Sequence, residues 1–238
     1  MRYETIVPAV FLERPNRFIA RVEIDGREET VHVKNTGRCR ELLVPGRKVY
    51  LSRARDPEKR KTKYDLVCVE KPRSGAKDLL INLDSQIPND AAEEWLKKGG
   101  LFGKKAQIRR EVTYGGSRFD FCIDDETGRR HYMEVKGVTL EENGTALFPD
   151  APTERGARHL HELSGCAKAG FGAWLLFVIQ MEGMHIFRPN RAMDAAFADA
   201  LRTARESGVK ILARECEVTP ESLVLKGEIP VELEERRS

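Results

Sequence analysis

No stretch of this chain approaches the roughly 20 consecutive apolar residues that cross a bilayer as a helix, and Met1 to Phe11 lacks the basic-then-apolar layout of a secretory signal. The expectation is a soluble, cytoplasmic protein with no membrane partner. Cysteine is sparse: the five (Cys39, Cys68, Cys122, Cys166, Cys216) are scattered and never form a C-x-x-C pair. That pattern argues against both a disulfide framework and a zinc site. The one close histidine pair, His159 and His161, is two residues apart, on different helix faces rather than the shared face two metal ligands need. Helix-turn-helix and finger motifs are missing, which leaves no evident reader of base edges and predicts low sequence specificity for any nucleic-acid partner. Internal repeats and low-complexity segments are also lacking.

What the chain does have is 238 residues, 40% hydrophobic and 33% charged, enough for a globular protein. At roughly 100 to 150 residues per domain, two domains are expected. The net charge of +3 hides an uneven distribution. Arg38 to Lys63 carries ten Lys or Arg against Glu41, Asp56 and Glu58, a local net of +7. Lys97 to Arg118 adds seven more against Glu111, whereas Glu215 to Ser238 holds seven Glu against Lys226, Arg236 and Arg237. Basic runs of this kind are candidate phosphate-binding stretches, with solvated charged faces as the alternative.

Residues 5–13, 17–25, 29–34, 48–54 and 63–70 are short, rich in β-formers and separated by turn chemistry at Asp25-Gly26, Asn35-Thr36-Gly37 and Pro45-Gly46. Five such strands fit a partly open barrel of the oligonucleotide-binding (OB) type, although periodicity alone does not separate it from other small barrels. A boundary is expected near Asp84 to Pro88, dividing the chain into 1–85 and 86–238. Beyond it, a helix from Asn89 or Asp90 ends at Gly99-Gly100. Strands follow at 106–114, 118–124 and 130–137, then a helix at about 153–169, a strand at 173–180, a helix at 191–207 and a strand at 209–213. The expected class is therefore mixed α/β.

The chemistry sits on two of these strands. In Arg118-Phe119-Asp120-Phe121-Cys122-Ile123 the two-residue period sets Arg118 and Asp120 on one face and Phe119, Phe121 and Ile123 on the other. After the turn 124–128, Glu134 and Lys136 share a face opposite Met133 and Val135. Clustered carboxylates repel one another and lose hydration, so they persist chiefly where a cation compensates, and hard oxygen donors suit Mg²⁺ or Mn²⁺. Glu111, in the preceding basic strand with Arg109 and Arg110, is a candidate third carboxylate. A lysine two residues from such a ligand can orient or deprotonate water and offset charge on a phosphoryl group. The competing reading of the same spacing is a surface hairpin with a cross-strand ion pair.

The segment Phe148-Pro149-Asp150-Ala151-Pro152-Thr153-Glu154-Arg155 leads into a helix on which Arg155, His159 and Glu162 share one face, while Leu160, Leu163 and Ala167 face the core. A helix N-terminus carrying Arg155 suits phosphate; Thr153 as a plain cap beside a solvated face is the alternative.

Together these residues resemble the sugar fermentation stimulation protein A family over nearly the whole chain. The resemblance rests on Arg17-Phe18, Asn35-Thr36-Gly37, residues 114–121, Glu134-Val135-Lys136-Gly137-Val138-Thr139-Leu140, Phe148-Pro149-Asp150, Thr153-Glu154-Arg155-Gly156 and His159-Leu160. It implies an N-terminal OB-type barrel followed by a PD-(D/E)XK nuclease-like α/β domain, DNA binding, and a link to control of sugar use, notably maltose. Carried over, it implies a catalytic set of Glu111, Asp120, Glu134 and Lys136, with metal held by Asp120, Glu134 and Glu111. Asp150, Arg155, His159 and Arg118 would be accessory. The residue before Asp120 is Phe119 where the motif's name has proline, a change that removes no ligand.

Arg17, Asn35, Thr36, Arg38, Arg40, Arg109 and Arg110 are the expected nucleic-acid contacts. The expected partner is DNA, as duplex because few aromatics accompany the basic run, with a homodimer left open. The expected cofactor is Mg²⁺ or Mn²⁺. Three functions compete: a metal-dependent DNA nuclease, a non-cleaving DNA-binding regulator, and an RNA-binding barrel joined to a decayed nuclease domain.

Overall fold

The computed structural model describes residues 1–35 and 37–233; Thr36, one of the expected nucleic-acid contacts, and residues 234–238 of the acidic stretch lie outside the described residues. The fold is mixed α/β and the chain divides into two compact units. One comprises Met1–Ile87, 180–182 and Cys216–Val224; the other comprises Pro88–Ile179, Gly183–Glu215 and the residues from Leu225 onward. No helix among the described residues is long and apolar enough to cross a membrane.

In the first unit β1 (Ile6–Asn16), β2 (Ile19–Ile24), β3 (Arg27–Val33), β4 (Lys48–Arg53) and β5 (Tyr64–Lys71) form the expected five-stranded barrel. The strand order is β3-β2-β1-β4-β5, and a parallel pairing of His32 with Asp65 and Val33 with Leu66 closes it. Alternation decides which side chains fill it: Phe11, Val22, Val31, Val49, Leu51 and Leu66 are buried. The β2–β3 hairpin is a two-residue turn with positive φ at both Asp25 (48°) and Gly26 (76°), a conformation that matches the strands' right-handed twist and favours Asp-Gly. A sixth strand, β6 (Leu79–Asn82), joins β5.

Beyond β6, α1 (Ile87–Lys97) precedes β7 (Gln107–Tyr114), β8 (Ser117–Asp124) and β9 (Arg130–Val138), which form an antiparallel meander. Two small strands, β10 (Leu140–Glu142) and β11 (Thr145–Phe148), lead into α2 (Glu154–Lys168). Then come β12 (Gly172–Ile179), β13 (Ile186–Pro189), α3 (Ala195–Glu206), β14 (Lys210–Thr219) and β15 (Ser222–Ile229). The main sheet has the order β15-β14-β12-β9-β8-β7, and β12 runs parallel to both β9 and β14. Its central position explains the unbroken apolar run Ala173–Ile179, buried on both faces. α2 is capped by Thr153, whose side chain accepts from Gly156 N at 3.0 Å, and buries Leu160 and Leu163.

Three expectations shift. α1 starts at Ile87, because Pro88 is compatible with a helix's first turn, where its missing N–H costs nothing. α3 starts at Ala195 rather than 191, since Asp194 caps it by accepting from Phe197 N at 2.8 Å. The strand expected at 209–213 runs on to Thr219 as β14.

Candidate functional site

β8 and β9 pair in register from Asp124↔Arg130 to Phe121↔Met133. At the next position the ladder stops. Asp120 reaches across with its side chain, and Oδ2 accepts the main-chain N–H of Val135 at 2.7 Å. Its other oxygen, Oδ1, accepts from Asn89 Nδ2 on α1 at 2.9 Å. Glu134 is buried on β9, and its Oε1 accepts from Lys136 Nζ at 2.6 Å and from Nδ1 of the buried His159 on α2. Asp120, Glu134, Lys136 and His159 are thus joined from two strands and a helix.

The two carboxyls respond differently to this crowding. Burial, then the charge of Glu134, push Asp120 up to about 6, against the opposing hydrogen bond from Val135, the Lys136 charge and the Asn89 amide. Burial also acts to raise Glu134, but the hydrogen bonds and charges of His159 and Lys136 outweigh it and hold the carboxyl below its ordinary range. Glu134 therefore carries the charge and Asp120 takes the proton first.

Among the described residues no group of three or more His, Cys, Asp and Glu side chains forms a ready metal cage. The pair nonetheless fits a divalent cation. Oε2 of Glu134 is buried without a hydrogen-bond partner, and an ionised oxygen left over in a low-dielectric site beside a second carboxylate is where a hard cation is compensated best.

The other expected site residues are placed less centrally. Glu111, the expected third carboxylate, has a positive φ of 56° in β7, and its carboxylate accepts from Arg118 Nε at 2.7 Å instead of joining the Asp120 cluster. Arg118 is thereby the partner of Glu111. Asp150 is half-buried just after β11, and burial raises its carboxyl. Arg155 is exposed in the first turn of α2, with Nε 3.5 Å from Nε2 of His159. His159, expected on a charged face with Arg155 and Glu162, is buried.

Of the expected nucleic-acid contacts, Arg17 is exposed at the β1–β2 turn beside Phe18, itself 51% exposed, and Arg38 and Arg40 are exposed beyond β3. The side chain of Asn35 serves the backbone, donating to Leu83 O at 2.9 Å and accepting from Gly37 N at 2.7 Å. Arg109 and Arg110 are committed to ion pairs: Arg109 with Asp124 at 2.7 Å, Arg110 with Asp90 at 2.8 Å and Glu93 at 3.1 Å. Much of the basic run is similarly paired, Arg60 with Asp65 and Lys48 with Glu70 among others.

Residues 86–222 match the model of the sugar fermentation stimulation protein RE domain, and residues 12–78 that of the SfsA N-terminal OB domain. The chain belongs to the sugar fermentation stimulation protein family. A homolog from Desulfitobacterium hafniense (strain DSM 10664 / DCB-2) is 54% identical, with 99% of this chain and 100% of that protein covered. A homolog from Clostridium botulinum (strain Hall) is 48% identical over 97% of this chain and 98% of that one. The structure of Pyrococcus furiosus SfsA in complex with Ca²⁺ superposes with a TM-score of 0.85 at 32% identity, covering 98% of each chain. The OB domain of the family is the barrel of the first unit.

The sequence marks Asn89 only as a helix cap, and the structure gives it a place in the site. Pro88 holds the signal: a helix that starts before a proline puts Asn89 inside its first turn, with a side chain free to reach outward.

Proposed function

We propose that this chain binds DNA, as duplex and with low sequence specificity, and hydrolyses its phosphodiester bonds with Mg²⁺ or Mn²⁺ held by Asp120 and Glu134. The observation that carries the reading is the buried, unpartnered Oε2 of Glu134 next to Asp120, with the Lys136 ammonium in the same cluster. The Ca²⁺ complex of the Pyrococcus furiosus relative supports a site for a hard cation here too. When bound, such a cation supplies Lewis-acid polarisation of a phosphoryl oxygen and acidifies a coordinated water. Lys136 donates hydrogen bonds and offsets negative charge that grows on the phosphoryl oxygens. Arg155, at the positive end of α2, is suited to an adjacent phosphate. Arg17, Arg38 and Arg40 offer exposed guanidinium groups to the sugar–phosphate backbone. The protein acts in the cytoplasm, at the nucleoid.

Purified protein incubated with Mn²⁺ or Mg²⁺ and supercoiled, linear or branched DNA should yield nicked or cut product, which D120N, K136A and chelation each abolish. Absence of cleavage on every substrate, or equal cleavage by K136A, overturns the nuclease reading. A second reading is a non-cleaving DNA-binding regulator of sugar use, favoured by the engagement of Glu111 with Arg118, which leaves two carboxylates rather than three. In that case D120N binds DNA as the parent does.

A further inference from the structure

We propose that His159 is the positioning residue of this site: through Nδ1 it holds Oε1 of Glu134 and thereby turns Oε2 toward the cation. The proposal rests on the reading of Asp120 and Glu134 as a cation site.

The terminal torsion of a glutamate is soft and nearly two-fold, so by itself the side chain presents either oxygen. Lys136 cannot decide between them, because its ammonium sits on a flexible four-carbon stem and can follow whichever oxygen comes round. The imidazole can. It is buried, packs edge-on against the Phe119 ring at a centroid distance of 6.5 Å, and projects from a helix fixed by its Thr153 cap and by buried Leu160 and Leu163.

The ring is engaged on both edges. Arg155 Nε lies 3.5 Å from Nε2, on the other edge of the ring. Nδ1 faces the carboxylate. Both donors meet on Oε1, and Oε2 is the buried oxygen left without a partner. An imidazole that orients a ligating carboxylate helps a cation to bind there. A histidine whose only role is to lend positive charge to Glu134 would instead compete with it.

The two roles give opposite signs when the ring is removed. Mn²⁺ is titrated into the full-length protein and read by calorimetry or by the EPR signal of the free ion, with folding checked by circular dichroism. H159L should weaken Mn²⁺ binding about 10- to 100-fold, the usual cost of losing a group that orients a metal ligand. H159N, whose amide nitrogen falls close to the place of Nδ1, should recover most of that loss. H159Q, whose amide reaches toward the place of Nε2, should behave like H159L and stands in for it if the leucine variant does not fold. Unchanged or tighter binding in a folded H159L or H159Q overturns the proposal, as does an H159N that is no better than either. If the parent shows no saturable Mn²⁺ binding that D120N removes, the cation reading itself fails, and the proposal with it.

Discussion

The main-chain N–H of Val135 is satisfied by the side chain of Asp120, not by a carbonyl of the neighbouring strand. The β8–β9 ladder stops at Phe121↔Met133, and at the next step a carboxylate takes the place that the backbone would fill. An acid installed in this way is buried for structural as well as chemical reasons, and it should cost stability when ionised.

Folding raises the pKa of Asp120 to about 6, so its contribution to stability is fully present below the ordinary aspartate value of about 3.9 and is lost as pH rises through about 6. In metal-free buffer, the stability of D120N minus that of the parent should therefore increase by about 2–3 kcal/mol between pH 3 and pH 8, the energy of moving the carboxyl from its ordinary value to about 6. Urea melts of both proteins across that range measure it. A difference that is flat with pH would refute the shift.

Arg38 and Arg40 are exposed, whereas Arg109 and Arg110 are spent on Asp124, Asp90 and Glu93. The double variant R38A/R40A should weaken DNA binding uniformly across sequences and flatten the log–log salt dependence by about 0.9 for each phosphate no longer neutralised. R109A and R110A should leave the slope unchanged and cost about 0.2–1 kcal/mol of stability each, as partly exposed ion pairs do. Fluorescence anisotropy over a salt series separates the two pairs.

Gly172 on β12 lies opposite His131 on β9, whose Nε2 is 2.9 Å from Asp125 Oδ2 and whose Nδ1 accepts from Trp174 Nε1 at 3.2 Å. A Cβ at position 172 would overlap the imidazole Nδ1, so the ring would have to leave both partners. G172A should destabilise by about 2–3 kcal/mol, as overpacking of a tight core does. In an H131A background the same change should cost far less. Equal penalties in the two backgrounds, measured by denaturant melts, would place the strain elsewhere.

Thr153 caps α2 through Gly156 N. T153A should lower stability by about 1 kcal/mol, the usual loss for a removed N-cap, and T153S should restore most of it. Because α2 carries His159, the alanine variant should also bind Mn²⁺ more weakly than the serine variant. Paired thermal melts and titrations test both effects.

The five barrel strands can be read from the sequence because each is long enough to alternate and ends in explicit turn chemistry such as Asp25-Gly26. β10, β11 and β13, three or four residues each, are illegible there, since so short a run has no period. The Asp120–Glu134–Lys136 pattern follows from the pleat, a local rule. The places of Asn89, Glu111 and His159 do not. Which face of a helix a polar residue takes depends on what packs against it, and Glu111 turns aside through a positive φ that no propensity announces.

The Arg14 guanidinium donates to the carbonyls of Arg17, Asn35, Gly37 and Arg38 at 2.7–2.8 Å. One side chain thus fastens the turn that bears Arg17 and Phe18 to the segment that leads to Arg40. An incoming anion would meet guanidinium groups whose supporting backbone is already set, and little chain freedom would remain to be surrendered on binding. A half-buried residue that touches no ligand would then determine how tightly the exposed ones grip.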